Sequence, residues 1–361
     1  MKKIIFALPL LIILIIIVAF ITLKDTSQKE MAPIQECQTI VFNGDDKTSI
    51  VFFSSEEEAK KYSSELLNTP PFDKNKNQFN IFQINYQSKC EIYKNSAVLC
   101  YNKDLIKQSA VCPNDFIVVI KDEQKKIRSS AYMNVISLNS QNSMNVITHE
   151  FGHVFANLAD EYIPSQLPKE SQNCKKECSE FEKKDGCFQG CAKANLYRSI
   201  DWGLMRTLST NNFGEFNKKI INNEIEKQTA ITGMVSQKIE DCLKEQYYLI
   251  HAEYIEGQIK LIAKTIEQGC VGTNGNGGFD YNLILKDNSI INHGKFNPEL
   301  IFTDAQEESE NEIQGEATEY SGEFFLKIPI INDAEKLEIL KEQEKITEIN
   351  LKDINSRPCE K

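Results

Sequence analysis

An uncharged run at the start of the chain places the strongest constraint on what the rest can fold into. Lys2 and Lys3 precede twenty residues without charge, from Ile4 to Leu23. At about 1.5 Å per residue, a helix of this length spans about 30 Å, the thickness of the hydrocarbon core of a bilayer. No A-x-A-like cleavage site follows the run. We therefore expect a transmembrane signal anchor over residues 1–25, with all later residues outside the cytoplasm.

The number and positions of the cysteines are also typical of a protein outside the cytoplasm. The chain has 11 cysteines, none of them in the apolar run, and disulfides are the default outside the cytoplasm. Cys174-x₃-Cys178 and Cys187-x₃-Cys191 form a symmetric quartet. We predict two disulfides between adjacent helical turns, and a structural zinc site is the alternative. The pairing of the others stays open: Cys37, Cys90, Cys100, Cys112, Cys242, Cys270 and Cys359.

Length and charge narrow the class of protein further. A chain of 361 residues is longer than one small core requires, so we expect one large or two modest domains. The 41% hydrophobic content excludes a disordered chain. The net charge of −11 disfavours nucleic acid as a partner, because phosphate contacts need clustered cations.

The first half of the chain alternates between strand-like and helix-like patterns. Ser55-x-x-Glu58 is a capping box that opens a helix through about Leu67, and a second helix follows from about Ser143. Runs of β-branched and aromatic residues predict strands at 39–42, 50–53, 79–86, 116–120 and 132–138. This order predicts an α/β (α+β) domain over residues 26–270.

The second half divides at a glycine-rich linker over residues 272–278. Before the linker, the pattern from Ala230 to about Gln268 predicts one or two long helices. After it, short strands are predicted at 281–285, 300–303, 324–331, 337–340 and 347–351. We expect them to form a small all-β sandwich over residues 271–361.

His149-Glu150-Phe151-Gly152-His153 is an H-E-x-x-H motif. On a helix, two histidines four residues apart share a face and can ligate one zinc ion, while Glu150 serves as general base. Apolar residues at steps of three and four lie roughly opposite the histidines: Met144, Ile147, Phe151, Val154 and Leu158. The ridge can face the core and leave His149 and His153 on a cleft.

Two downstream segments extend this motif: Leu158-Ala159-Asp160-Glu161-Tyr162 and the stretch from Tyr197 to Arg206. Together with H-E-F-G-H they resemble the zinc metallopeptidase family named for its immunoglobulin A peptidase, over roughly residues 40–225. The resemblance implies a metzincin-like domain with one catalytic zinc ion, a third ligand just past the zinc helix, a Met-turn beneath the metal, and a peptide or protein substrate. Asn157 stands where the family usually has glycine, and asparagine tolerates the left-handed turn needed there.

Within this resemblance the third zinc ligand is expected to be Asp160 rather than Glu161. A short carboxylate on a tight turn is easily held at the zinc distance, whereas glutamate has a longer and freer arm. Glu161 and Tyr162 would then orient a ligand or the turn itself. Met205 would form the soft floor under the histidines.

Two further segments are candidates for substrate contacts. Tyr197 and Arg198 are expected to polarise the scissile carbonyl or grip a substrate carboxylate, and a purely structural pair is the alternative. The segment from Arg128 to Ile136 occupies the place of an edge strand, to which a peptide can add as a further strand. The alternative is an interior strand.

These expectations combine into a membrane-anchored, extracytoplasmic zinc metalloendopeptidase that uses zinc-activated water. One alternative is a catalytically inactive cell-surface binding protein on a protease scaffold. Another is a thermolysin-like layout in which Glu224 or Glu226 is the third ligand.

Overall fold

The fold was obtained as a computed structural model, which describes residues 35–182, 185–232, 242–303, 306–309, 312–314 and 318–352. The expected anchor over residues 1–25 and Cys359 lie outside these ranges. The described residues belong to one compact unit by their contacts.

The expected membrane anchorage needs correction. None of the helices in the described ranges is both long and apolar enough to cross a bilayer. The longest of them, Glu215–Thr232, has several lysines and glutamates along its length. The single-pass membrane location is therefore not supported by the structure and is not carried further.

The described chain is mainly β, with twenty-one strands and four α-helices. The helices are α1 Glu56–Asn68, α2 Lys103–Ser109, α3 Val146–Ala156 and α4 Glu215–Thr232. The strands are β1 Gln38–Val41, β2 Thr48–Phe53, β3 Phe79–Ile84, β4 Glu91–Tyr93, β5 Ala97–Leu99, β6 Phe116–Lys121, β7 Ser130–Tyr132, β8 Val135–Asn139, β9 Phe188–Cys191, β10 Lys193–Arg198, β11 Gln246–Ile255, β12 Gln258–Gln268, β13 Phe279–Leu285, β14 Ile290–Phe296, β15 Leu300–Thr303, β16 Gln306–Ser309, β17 Glu312–Gln314, β18 Thr318–Glu319, β19 Gly322–Pro329, β20 Ala334–Lys341 and β21 Glu344–Asn350.

The predicted α/β (α+β) class is therefore wrong, and the segment before residue 270 shows why. Residues Ala230 to Gln268 were expected to be helical, yet β11 and β12 form a long antiparallel hairpin. Burial along β11 largely alternates, as in a strand with one covered face. Glu256 and Gly257 both have positive φ, 48° and 82°, the conformation of a tight hairpin turn.

The site is positioned by an eight-stranded sheet of order β1-β3-β2-β6-β8-β7-β15-β18. Strands β3, β2, β6 and β8 run parallel, and every residue of β2, β3 and β8 is buried. One face of the sheet shares a hydrophobic core with α1, α3 and α4. The capping box predicted at the start of α1 is confirmed: the Ser55 side chain accepts from the Glu58 amide, and Glu58 accepts in return.

The predicted strand at 132–138 is two strands, β7 and β8, joined by a turn in which Met133 has a φ of 56°. β7 pairs antiparallel with β8 on one side and with β15 on the other. The expectation of a free edge at this segment is wrong, because a strand from far along the chain covers it.

Two further sheets, β12-β11-β19 and β14-β13-β20-β21, contribute to a second hydrophobic core. Strands β11 and β12 lie before residue 270 and β19 lies after it, so pairing crosses the predicted boundary between residues 26–270 and 271–361. The division into two domains stays a prediction.

Five disulfides are present among the described residues: Cys37–Cys112, Cys90–Cys100, Cys174–Cys191, Cys178–Cys187 and Cys242–Cys270. The quartet forms two disulfides as predicted. Its pairs are nested across a reversal of the chain rather than formed between adjacent helical turns, because Cys178–Glu180 is a single 3₁₀ turn and Phe188–Cys191 is strand β9.

The disulfides close loops of very different length, and this gives a stability prediction. Cys37–Cys112 spans 75 residues and Cys90–Cys100 spans 10. In the chain-entropy model the longer loop stabilises by about 2 kcal/mol more. We expect Cys37→Ala/Cys112→Ala to lower the free energy of unfolding in urea by more than Cys90→Ala/Cys100→Ala does. Equal losses would contradict the loop-length argument.

Candidate metal centre

Helix α3 places the H-E-x-x-H motif inside the molecule. Every residue from Val146 to Ala156 is buried. Phe151 and Phe155 stack with ring centroids 5.0 Å apart, and both rings contact Phe72 and Phe116. This aromatic packing fixes the rotation of α3, so the histidines on its other face have defined positions.

The chain leaves α3 through Asn157, as the sequence predicts. Asn157 is left-handed, with φ 49° and ψ 38°, and its amide donates to the Gly152 and His153 carbonyls. The Leu158 amide also donates to the Gly152 carbonyl, at 3.2 Å. The helix therefore ends sharply, and the chain reverses so that Asp160 returns to the histidines.

His149, His153 and Asp160 form a possible metal-binding triad. The two Nε2 atoms lie 3.2 Å apart, and Asp160 Oδ1 lies 3.2 Å from His149 Nε2 and 3.3 Å from His153 Nε2. A tetrahedral ion with donor distances of about 2.0–2.1 Å sets its donors about 3.3 Å apart. The triangle therefore has the dimensions of one face of such a tetrahedron.

The hydrogen bonds of the histidines orient these donor atoms. His149 Nδ1 lies 2.8 Å from the Leu204 carbonyl, and His153 Nδ1 lies 2.7 Å from the Leu158 carbonyl. A carbonyl only accepts, so both Nδ1 atoms carry the proton and both Nε2 atoms present a lone pair. Two lone pairs and a carboxylate directed at one point repel each other unless a cation lies between them. The donor set thus fits a divalent metal ion.

The pKa directions agree with this charge arrangement. Burial lowers the pKa of the His153 imidazole, although the Asp160 carboxylate opposes the shift. Burial raises the pKa of Asp160, but its interactions with the two histidines lower that pKa overall to below its ordinary value. A lowered imidazole pKa favours the neutral ring and a lowered carboxyl pKa favours the anion, and these are the forms in which histidine and aspartate ligate a metal.

The loop that carries Asp160 is held by Asn173. The Asn173 side chain accepts from the Ala159 amide at 2.8 Å and donates to the Ala159 carbonyl at 2.9 Å. The neighbouring Cys174–Cys191 disulfide packs in a small buried cluster with Ala159. Ser165 donates to Asp160 Oδ2 at 3.3 Å, while Oδ1 faces the histidines. The disulfide and Asn173 together hold the third donor in place.

Glu161 points away from the triad. Its Oε1 accepts from Asn173 at 3.1 Å and from Asn217 of α4 at 2.8 Å. Burial raises its pKa to about 7, against the lowering effect of these two amides. The arrangement is that of a residue that ties the loop to α4, in line with the orienting role predicted for it.

Tyr162 lies between the triad and β15. Burial raises the pKa of its phenol, and the charges of Asp160 and Glu150 add to the shift. The hydroxyl donates to the Thr303 carbonyl at 3.2 Å. Glu150 itself is fully buried on α3, next to His149 in sequence. The phenol of Tyr162 therefore lies near both Asp160 and the carboxylate expected to act as base.

Met205 lies under α3, in a turn formed by residues 204–206. Its carbonyl accepts from the Glu161 amide at 2.8 Å. A methyl group added to Gly152 would lie 2.9 Å from Met205 Sδ, so the thioether packs directly on the helix backbone between the two histidines. That Met205 forms a floor under the histidines stays a prediction.

The Arg198 guanidinium forms hydrogen bonds within the protein. Its guanidinium donates to the Gln189 and Gly190 carbonyls at 2.6 Å each and to Asp201 Oδ1 at 2.6 Å. Tyr197 exchanges backbone hydrogen bonds with Lys175. The side-chain contacts of Arg198 favour the structural alternative for that residue, while the role of the Tyr197 side chain stays a prediction.

The thermolysin-like alternative finds no geometric support among the described residues. Glu224 pairs with Lys227 at 3.2 Å on α4 and is not part of the triad. Sequence reasoning missed Asn173, the Leu204 carbonyl and the pairing of β15 with β7, although it predicted the strand at 300–303 itself. Asn173 directly precedes a quartet cysteine, which is the one signal that could have indicated it.

Comparison of the chain with models of known protein families gives no match, and comparison with curated proteins gives none either. The resemblance to the immunoglobulin A peptidase family therefore rests on the motifs alone.

The close contact between Met205 and α3 predicts the effect of Gly152→Ala. Alanine is the better helix former by about 1 kcal/mol, but overpacking a tight core costs about 1–3 kcal/mol. We expect the free energy of unfolding to fall by about 1 kcal/mol. Met205→Ala should make room, so the double variant should lose less than the sum of the single losses. Additive losses would contradict direct contact.

A paired substitution tests the third donor. We expect Asp160→Ala to lose a bound divalent metal ion in a stoichiometry measurement, because only two donors remain. Glu161→Ala should retain the ion with affinity weakened by about 10–100-fold, as is typical of residues that support a ligand. If Asp160→Ala keeps the ion while Glu161→Ala loses it, Glu161 is the ligand.

Proposed function

We propose that this protein is a zinc-dependent hydrolase that cleaves peptide bonds. The observation that carries the proposal is the triangle of His149 Nε2, His153 Nε2 and Asp160 Oδ1, with sides of 3.2–3.3 Å. Nitrogen and carboxylate donors at tetrahedral spacing suit zinc, whereas magnesium and calcium prefer six or more oxygen donors.

The number of donors favours catalysis over a structural role. Structural zinc sites have four protein ligands, and catalytic sites have three and leave one position for water or substrate. Among the described residues, the triad contains three such donors. The disulfides of the quartet remove those cysteines from consideration as a fourth ligand.

Each residue of the site has a defined task in this proposal. His149, His153 and Asp160 hold the ion, and the Leu204 and Leu158 carbonyls keep both imidazoles in the correct tautomer. Zinc, when bound, activates water and polarises the scissile carbonyl. Glu150 accepts the proton of the attacking water and delivers it to the leaving amine. Burial of Glu150 excludes bulk water from this transfer.

The alternative of an inactive protein on a protease scaffold also has one observation in its favour. His149, Glu150, His153 and Asp160 are at most 2% exposed, so the described conformation offers a peptide no direct access. In that case the metal would serve stability alone, and the Glu150 carboxylate would be dispensable.

Glu150→Gln separates the two functions. The substitution keeps the shape and removes the base, so we expect unchanged zinc content and a fall in kcat by about 10²–10⁴-fold toward a mixed peptide library. Glu323→Gln, an exposed carboxylate paired with His251 away from the triad, is the matched control and should keep full activity. Equal rates for wild type and Glu150→Gln would contradict the proposed mechanism.

A further inference from the structure

The strand position beside β7 is occupied by the chain itself. In β15, Phe302 lies opposite Ala131 and Thr303 opposite Ser130, in antiparallel register. A peptide that binds by strand addition uses the free N–H and C=O groups of such an edge. Residues 300–303 therefore occupy the place expected for an extended substrate.

This strand also reaches the candidate metal ligands. The Phe302 ring stacks on the His153 imidazole, with centroids 4.1 Å apart and planes at 14°. The Thr303 carbonyl accepts from the Tyr162 hydroxyl. The cavity between Phe302, His153 and β7 measures about 10 Å³, room for about one water molecule. β15 thus fills the space between the edge strand and the triad.

The attachment of β15 is short in comparison with the rest of the sheet. It pairs with β7 through two residue pairs and with β18 through two more, whereas β2 and β3 share six. Local opening is easiest for segments with few contacts to the rest of the fold. β15 has few backbone pairs, but its four residues are buried, so its displacement must also separate Leu300, Ile301 and Phe302 from two hydrophobic cores.

We propose that β15 is an internal occupant of the substrate strand position, which blocks the site until it is displaced. The inference rests on the proposed peptidase function for its purpose, although the covering of the triad can be tested without it. Displacement would expose the β7 edge and the face of His153 together, since β15 covers both.

Phe302→Ala tests the cover by metal exchange and by activity. With the ring lost, we expect zinc release to 1,10-phenanthroline to quicken at least tenfold and amide hydrogen exchange over residues 128–134 to rise. Peptide cleavage should rise about tenfold. Phe324→Ala removes an equally buried ring of β19 that lies in the second hydrophobic core, and it serves as the control for general loosening.

A cross-link tests the opposite direction. Residues directly opposite on antiparallel strands have Cα atoms about 4.5–5.5 Å apart, which a disulfide spans. We expect Ser130→Cys/Thr303→Cys, which keeps the Phe302 ring and has the new bridge verified by mass mapping, to slow zinc release below the wild-type rate and to abolish cleavage. The single variants Ser130→Cys and Thr303→Cys should do neither.

The readouts separate failure of this inference from failure of the proposed function. Unchanged zinc release and exchange in Phe302→Ala, or equal changes in Phe324→Ala, overturn the inference whatever the activity. If release and exchange respond as expected but no variant cleaves peptide, β15 is a cover and the peptidase proposal is wrong. A cross-linked variant that cleaves peptide at the wild-type rate also overturns the inference.

Discussion

Three donor atoms converge on one point inside this protein, and much of the surrounding structure serves to hold them there. Two imidazole lone pairs and a carboxylate oxygen at 3.2–3.3 Å are unfavourable neighbours without a cation. Each of the three side chains is held by a hydrogen bond through its other polar atom. The Leu204 and Leu158 carbonyls hold the two imidazoles, and Ser165 holds the carboxylate. The local structure is therefore suited to bind a cation.

Distant parts of the chain contribute to this support. Asn173 and the Cys174–Cys191 disulfide hold the loop of Asp160, while Asn217 of α4 holds Glu161 of the same loop. Met205 supports α3 from below through its contact at Gly152. Because these residues also belong to the molecule's packing and disulfide framework, metal affinity and folding stability are expected to be coupled.

Strand β15, from the C-terminal part of the chain, also lies against the donor triad. Phe302 covers His153, and the strand completes the sheet at β7. The triad is buried, so the peptidase function proposed above would require an opening. Displacement of β15 would provide it, with loss of the buried contacts of that strand.

The sequence by itself determined the local features: the H-E-x-x-H helix, the left-handed Asn157, the capping box of α1 and the two disulfides of the quartet. Each depends on residues close together in the chain or on the chemistry of one residue type. The prediction of helix for residues 246–268 was wrong, because strand and helix patterns overlap there. Pairing with β19 makes this segment part of a sheet. The tertiary structure alone decided that Asn173 holds the Asp160 loop and that β15 covers β7. Those contacts join residues up to 171 positions apart, from Ala131 to Phe302, and no local pattern encodes such a pairing.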